Sequence, residues 1–419
     1  MRGLEAYEGA PVDRLREASR RAMRALVALA IDQEVDLVLL AGDIYDGDWT
    51  DFRTGLFFRD QLVQLTRAGI HVFIVQGNHD ASCVITRELP AVEGVHVFSS
   101  QRGETVDRPD LGVAIHGRSF AQRQQTMDLL PDYPAPMPDR FNIGILHTSL
   151  NGRELHDPYA PTTVAALVHK GYDYFALGHV HAREVVRERH PRIVFSGNLQ
   201  GRHARETGPK GCELITVEQG EIVASEAVSF DIVRWHHLTI DVGDLGSTTE
   251  LSQRVVARLA DLVAQAPECL HALRITLIGE SPLHRLEARQ PGSLRAAIAA
   301  AGQDLAQGDI WIEKLVLQLR SPLDREAAAA RDDAVGEVIR LVNRLAADEA
   351  GLREWFNAQL LEEIGGSIPP GLRDLSPDHL DPATIRACLA DAEATVLARI
   401  VEQDDGVDAW RNGTSAGDP

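Results

Sequence analysis

The sequence predicts an α/β protein: a layered sheet first, then a smaller α/β unit, then a helical C-terminal region. Three observations carry this. Short apolar runs recur through the first half, and each ends in polar residues able to bind metal. Asp36–Ala41 runs into Gly42-Asp43, His71–Val75 into Gly77-Asn78-His79-Asp80, Phe141–Leu146 into His147, and Tyr172–Leu177 into Gly178-His179-Val180-His181. Runs of this length bounded by turn residues read as buried strands. In layered α/β folds, ligands bind at the edge where such strands end. Ahead of the first run, Leu15, Ala18, Ala22, Leu26 and Ala30 recur at helical spacing. They predict an amphipathic helix over 13–32 with Asp13 as its N-cap. The pattern then changes near Trp235.

Beyond residue 183 the segments shorten and alternate. Arg192–Ser196, Glu213–Val217 and Ile222–Ala224 read as antiparallel strands closing a sheet. A second unit follows: strand His237–Val242, helix 249–265, strand Ala272–Gly279, helix 292–301 and strand Ile310–Arg320. Residues 322–364 are rich in Ala, Arg, Glu and Leu and read as helical, until Gly365-Gly-Ser-Ile-Pro-Pro370 breaks them. A last helix is expected over 382–402, and the acidic, Gly-rich stretch 404–419 reads as a disordered tail. The expected divisions are therefore 1–235, 236–321, 322–403 and 404–419.

A length of 419 residues favours two or three domains. No apolar run approaches the roughly 20 residues of a membrane span. Met1–Ala10 has neither a basic nor an apolar signal region, so no signal peptide is expected. The cysteines, Cys83, Cys212, Cys269 and Cys388, form no Cys-x-x-Cys pair. That argues against a zinc ribbon or disulfide framework and suits a reducing cytoplasm. The net charge is −20. Phosphate contacts favour Lys and Arg, so charge alone favours an acidic protein that does not touch nucleic acid. A nucleic-acid enzyme would need metal ions, a local basic strip or a partner to supply positive charge.

Taken singly, a Gly-Asp after a strand is more often a turn, and a His-x-His more often surface. Together, and in this order, the four motifs predict metal-dependent phosphoester hydrolysis. A pair of divalent ions needs an Asp to bridge, Asn or His to cap, and several strand ends to converge.

The order Gly-Asp-x-x-Asp, Gly-Asn-His-Asp, a lone His and Gly-His-x-His resembles the calcineurin-like metallophosphoesterases. Residues 178–211 narrow it, with Phe195-Ser-Gly-Asn-Leu-Gln-Gly-Arg-His and Glu206-Thr-Gly-Pro-Lys-Gly after the last motif. They resemble the SbcD-like DNA exonucleases, in particular the YhaO-like branch, as does Arg2-Gly-Leu-Glu-Ala-Tyr-Glu-Gly-Ala-Pro11. The resemblance covers residues 1 to about 235. The α/β unit after it matches the capping domain of that branch only in kind.

This resemblance implies a four-layer α/β/β/α metallophosphoesterase sandwich, a small α/β capping domain and a helical C-terminal region. It implies two divalent ions, with manganese the expected metal. Asp43 would bridge them, Asn78, His147 and His179 would complete one site, and His181 would belong to the other. His79 would protonate the leaving oxygen or steady the phosphate, oriented by Asp46 or Asp80. Implied partners are DNA and a separate coiled-coil ATPase of the SbcC-like type, docked on the helices of about 327–400, with homodimers common among relatives. The chain itself has no Gly-x-x-x-x-Gly-Lys-Ser/Thr, the loop that cradles ATP phosphates.

The sequence departs from the family in one respect. The family carries Asp-x-His at the end of a first strand, which would precede Arg2, and residues 1–40 contain no such motif. The expectation is a gene model begun too far downstream, in preference to a naturally degenerate protein. As written, one metal would be held well, the other weakly by Asp43 and His181, and activity would be feeble or absent. A central strand would also be lacking, leaving its neighbours with unpaired backbone groups.

Arg202, Arg205 and Lys210 are candidates for phosphate contacts, with His203 and Arg53 weaker ones. Trp235, His236 and His237 read as packing at a domain boundary, Trp311, Trp355 and Phe356 as core or a partner-facing surface, and His271 and His284 as surface histidines. Two other functions stay open: a small-molecule or nucleotide phosphoesterase of the same fold, which the acidic charge favours, and a non-catalytic scaffold for an ATPase.

Overall fold

Period-2 alternation along the first strands decides how the layers stack. The structure is a computed structural model and describes residues 10–45, 52–81, 91–150, 159–306, 309–355 and 382–412. Strands β1 (Leu37–Leu40), β2 (His71–Ile74) and β3 (Val95–Val97) form a parallel sheet in that order. Val38, Val72 and Ile74 face outward onto Met23, Leu26 and Val27 of helix α1 (Val12–Asp32) and Leu62 and Leu65 of α2 (Phe52–Arg67). Their neighbours Leu37, Leu39, Phe73 and Val75 face inward and pack on a second sheet.

That second sheet contains β4 (Glu104–Arg108), β5 (Val113–Gly117), β6 (Phe141–His147), β7 (Tyr174–Gly178), β8 (Glu184–Arg187) and β9 (Arg192–Phe195). Its order is β4-β5-β6-β7-β9-β8. Phe141, Ile143, Ile145 and Tyr174 face the first sheet. Phe175, Leu177, Ile193 and Phe195 face the other way and pack with Leu167 of α3 (Val164–Lys170). Helices, two sheets and a helix make the four expected layers.

Two local readings need correction. Asp13 lies in the first turn of α1 and does not cap it; the cap position is Pro11, without a side-chain hydrogen bond. Asp13 there can still favour the positive end of the helix dipole. Strand β9 runs parallel to β7, because β8 intervenes and pairs antiparallel with β9. The antiparallel reading holds for β10 (Gly211–Glu218) and β11 (Glu221–Ser229). Among the described residues these two form a sheet of their own, and β1 is paired only with β2.

A cavity of about 1730 Å³ lies in this part of the molecule. Leu37, Leu39, Ile143, Ala176, Ile215 and Val217 supply part of its apolar lining.

The chain divides into two compact units, residues 1–237 with 267–273, and 238–266 with 274–419. The second contains most of a sheet ordered β12-β13-β14. Its strands are β12 (Val233–Asp241), β13 (Leu270–Glu280) and β14 (Ile310–Arg320). Helix α4 (Thr248–Gln265) opens with a capping box: the Ser247 hydroxyl accepts from Glu250 N–H, and the Glu250 carboxylate accepts from Ser247 N–H. Ser247→Ala is expected to cost about 1 kcal/mol locally. The check is faster hydrogen exchange at the first-turn amides of α4.

Helices α5 (Leu283–Arg289) and α6 (Ser293–Ala306) follow β13, and α5 was not anticipated from the sequence. The α/β segment shares its unit with the helices after it: α7 (Arg325–Ala329), α8 (Ala334–Ala347), α9 (Glu349–Trp355) and α10 (Pro382–Asn412). Leu397 of α10 packs on Val335 and Ile339 of α8, and Ile385 and Leu389 pack on Leu352 of α9.

Helix α10 continues to Asn412, well into the stretch expected to be a disordered tail. With no proline and a single glycine over 401–412, an existing helix extends at little cost. Residues 413–419 and the Gly365–Pro370 break lie outside the described residues. His271 is also corrected: it is buried, with its Nδ1 3.1 Å from His236 Nε2, because it sits within β13. His284 is half-buried, Trp311 is buried, Trp355 is partly exposed, and Phe356 lies outside the described residues. Among the described residues, no helix is long and apolar enough to cross a membrane.

Candidate metal centre

Four strand ends bring the predicted residues together. After β1, Gly42 and Asp43 both adopt positive φ, +93° and +53°. The left-handed conformation is uncommon for residues other than glycine, and Asp tolerates it better than most. The Asp43 carboxylate accepts from the His79 backbone N–H (3.1 Å) and lies 3.4 Å from His147 Nε2. Burial alone would raise its pKa. The hydrogen bond and charge of His147, together with the His79 N–H, bring it down to about 2. Asp43 is therefore ionised at neutral pH.

The loop after β2 is fastened to the loop after β1. The buried Asp80 carboxylate accepts from Gly77 N–H (2.9 Å) and Tyr45 N–H (3.1 Å). Burial pushes its pKa up, against these donors. This fastening sets Asn78, buried, beside His147 at the end of β6. His79 is half-buried and lines the cavity. Asp46 lies outside the described residues.

His147 carries the test of whether a cation fits. Its Nδ1 is 2.8 Å from the Ala41 carbonyl oxygen, which can only accept, so Nδ1 carries hydrogen. In the neutral ring, Nε2 is then a bare lone pair. It points at Asn78 Oδ1 (2.9 Å) and Asp43 Oδ2 (3.4 Å). Three electron-rich atoms converging in this way need positive charge among them: a proton on Nε2, the form in which His147 lowers the Asp43 pKa, or a divalent ion in its place. Carboxylate, amide oxygen and imidazole are donors for a divalent ion. His179 completes the group: ligand atoms of Asp43, His147 and His179 all lie within 4.8 Å of one another. The His179 backbone is held at φ +94°, and its ring meets His147 and Tyr159 edge-on. Such conformations cost of order 1–3 kcal/mol and persist where the surroundings enforce them, commonly at functional sites.

Glycine permits the close approach of these loops. A Cβ at Gly178 would collide with the Ala41 carbonyl oxygen and sit 2.9 Å from His147 Nδ1. Gly178→Ala is therefore expected to lower stability by about 1–3 kcal/mol or more through overpacking and to weaken metal binding. Urea unfolding and manganese titration check both.

His181 lies apart from the Asp43–His147–His179 group. Its Nδ1 is 2.6 Å from Glu206 Oε1. Burial would raise the Glu206 pKa, but the His181 hydrogen bond and the Arg202 N–H hold it down to about 2. Of the predicted phosphate-contacting residues, Arg205 is exposed and Arg202 partly so, 3.7 Å from Glu206. Lys210 is buried, and its ammonium donates to the His181 carbonyl (3.0 Å). Burial lowers its pKa. His203 is exposed, 3.5 Å from Glu206, and Arg53 is exposed on α2. The sequence reading gave Glu206 no role. It stands alone, 25 residues from His181, and no spacing rule connects the two.

A layered fold with an acid, amide and histidine cluster at its strand ends defines a metal-dependent phosphoesterase, and the comparisons with known proteins agree. The calcineurin-like phosphoesterase family model matches residues 16–183, and the model of the middle domain of metallophosphoesterase YhaO matches 235–320. YhaO of Bacillus subtilis is 33% identical over 308 residues, covering 73% of this chain and 74% of YhaO. The DNA double-strand break repair protein Mre11 of Aeropyrum pernix is 25% identical over 342 residues, covering 74% of this chain and 81% of Mre11. This chain belongs to the calcineurin-like metallophosphoesterases, in the YhaO branch that is also related to Mre11.

Proposed function

We propose that the chain is the nuclease subunit of a DNA-repair assembly, hydrolysing DNA phosphodiesters with divalent manganese and working with a separate coiled-coil ATPase of the SbcC-like type. One observation carries the chemistry: His147 Nε2 facing the oxygens of Asn78 and Asp43. The relation to a protein named for double-strand break repair supports DNA as substrate. In this reading Asp43 would bridge two ions, Asn78, His147 and His179 would hold one, and His181 would serve the other. When bound, the ions would neutralise phosphate charge and ease deprotonation of water.

The protein's own groups do the rest. His79, set by its N–H bond to Asp43, donates a proton to the leaving oxygen. Asp46 and Asp80 are the carboxylates available to orient it; the hydrogen bonds of Asp80 described above assign it first to holding the loop. Arg202 and Arg205 meet backbone phosphates, offsetting locally a chain of net charge −20. Lys210 acts through the His181 main chain. The helices of about 327–400 are the docking surface for the ATPase, and the cytoplasm is the setting.

The acidic charge favours a second reading, a phosphoesterase acting on nucleotides. Incubation with manganese of end-labelled linear DNA and, separately, of nucleoside monophosphates distinguishes them, with Asp43→Ala as control. DNA cleavage lost in the control supports the nuclease. Hydrolysis of monophosphates alone supports the second reading. Hydrolysis of neither leaves a scaffold that holds the ATPase.

A further inference from the structure

We propose that Glu206 is the positioning carboxylate of His181, fixing the ring tautomer that leaves Nε2 bare for a divalent ion, and that the first residues of strand β12 hold Glu206 in place. The inference rests on reading His181 as a metal ligand. A neutral imidazole has one N–H and one lone pair, and the partner of one nitrogen decides the role of the other. Glu206 Oε1 lies 2.6 Å from His181 Nδ1 and, as a carboxylate, can only accept. The hydrogen is thereby placed on Nδ1, and Nε2 presents its lone pair from the opposite edge of the ring. Carboxylate–histidine pairs of this kind recur around metal ions.

The carboxylate is itself built in. Oε2 accepts from Arg202 N–H (2.6 Å) and Asn198 Nδ2 (3.0 Å), and the side chain is only 6% exposed. The His181 main chain is fixed as well: its carbonyl accepts from Asn198 N–H (3.2 Å) and from the Lys210 ammonium (3.0 Å). Ring and backbone of one residue are thus both held by the stretch 198–210.

That stretch is clipped to residues 231–235. Trp235, 1% exposed, donates its indole N–H to the Gly201 carbonyl (3.0 Å), and its own carbonyl accepts from Gly208 N–H (3.1 Å). The Gln200 side chain accepts from Ile232 N–H (2.8 Å) and Val233 N–H (3.2 Å) and donates to Val233 O (2.7 Å). Lys210 N–H donates to Asp231 (3.2 Å), whose carboxylate is paired with Arg234. Trp235 is therefore more than packing: with Gln200 it anchors the loop that aims His181.

The test uses the full chain. Nitrogen-15 NMR of labelled histidine reads the His181 tautomer in metal-free protein, and Mn²⁺ titration followed by electron paramagnetic resonance reads affinity. Wild type is expected to carry hydrogen on Nδ1. Glu206→Gln presents an amide that either faces the donors of Arg202 and Asn198 or donates to Nδ1. It is expected to move His181 toward the Nε2–H tautomer and to weaken the His181-dependent manganese site by about 10–100-fold, leaving the other site unchanged. Glu206→Asp, which keeps an acceptor, is expected to retain the Nδ1–H tautomer. If the tautomer is unchanged in Glu206→Gln, with manganese bound as in wild type, the positioning role is overturned. It is likewise overturned if affinity falls only in step with the melting temperature of the metal-free protein. If His181→Ala leaves manganese binding intact, the ligand reading fails instead, and the two failures are told apart.

Discussion

Asp43→Ala is expected to abolish metal binding and hydrolysis together. Asp43 sits where the loops after β1 and β2 and the end of β6 meet, with one oxygen taking the His79 N–H and the other facing His147 Nε2. It is the negative charge that any cation among His147, Asn78 and His179 would neutralise. Without it, the remaining donors there are neutral and hold a divalent ion weakly. Metal assistance contributes several kcal/mol to such reactions, and each 1.36 kcal/mol is a factor of ten. The loss should therefore reach roughly a thousandfold or more. Calorimetric titration with Mn²⁺, run beside hydrolysis of an activated phosphodiester, checks this. Two-metal binding retained by the variant would remove the bridging role.

His79→Ala separates proton transfer from metal binding. The link between His79 and Asp43 runs through the His79 backbone N–H, which alanine keeps. Manganese affinity should therefore stay near that of wild type. The imidazole at the cavity is lost, and with it a positioned acid, so the rate should fall by about 10²–10⁴. The deficit should shrink with a substrate whose leaving group needs no proton, such as a nitrophenolate ester. Loss of manganese binding would instead make His79 a ligand.

Much of this site was legible before any coordinates. Asp43, Asn78, His147 and His179 each follow an apolar run by one to three residues, and short apolar runs bounded by turn residues read as buried strands. The antiparallel β10–β11 pair, helix α4 and strand β14 were legible for the same reason, because their signals lie within a single segment. Where the signal was not local, the reading went astray. His271 looked like a surface histidine because nothing in its neighbours reveals that it meets His236 inside the fold. Strand β9 was read as antiparallel because alternation says nothing of strand direction.

The sequence by itself determined the strands that lead into the site, the residues delivered at their ends and the class of chemistry those residues suit. All three are written in short-range periodicity and residue type. Only the tertiary structure decided that Asp80 ties two loops together by backbone donors, that Glu206 reaches His181, and that Trp235 and Gln200 hold the loop carrying Glu206. These pairings join residues roughly 25 to 35 positions apart or cross separate elements, and a hydrogen bond requires its two partners within about 3 Å. Nothing in the spacing of such residues along the chain says which will meet, because the packing of the layers brings them together.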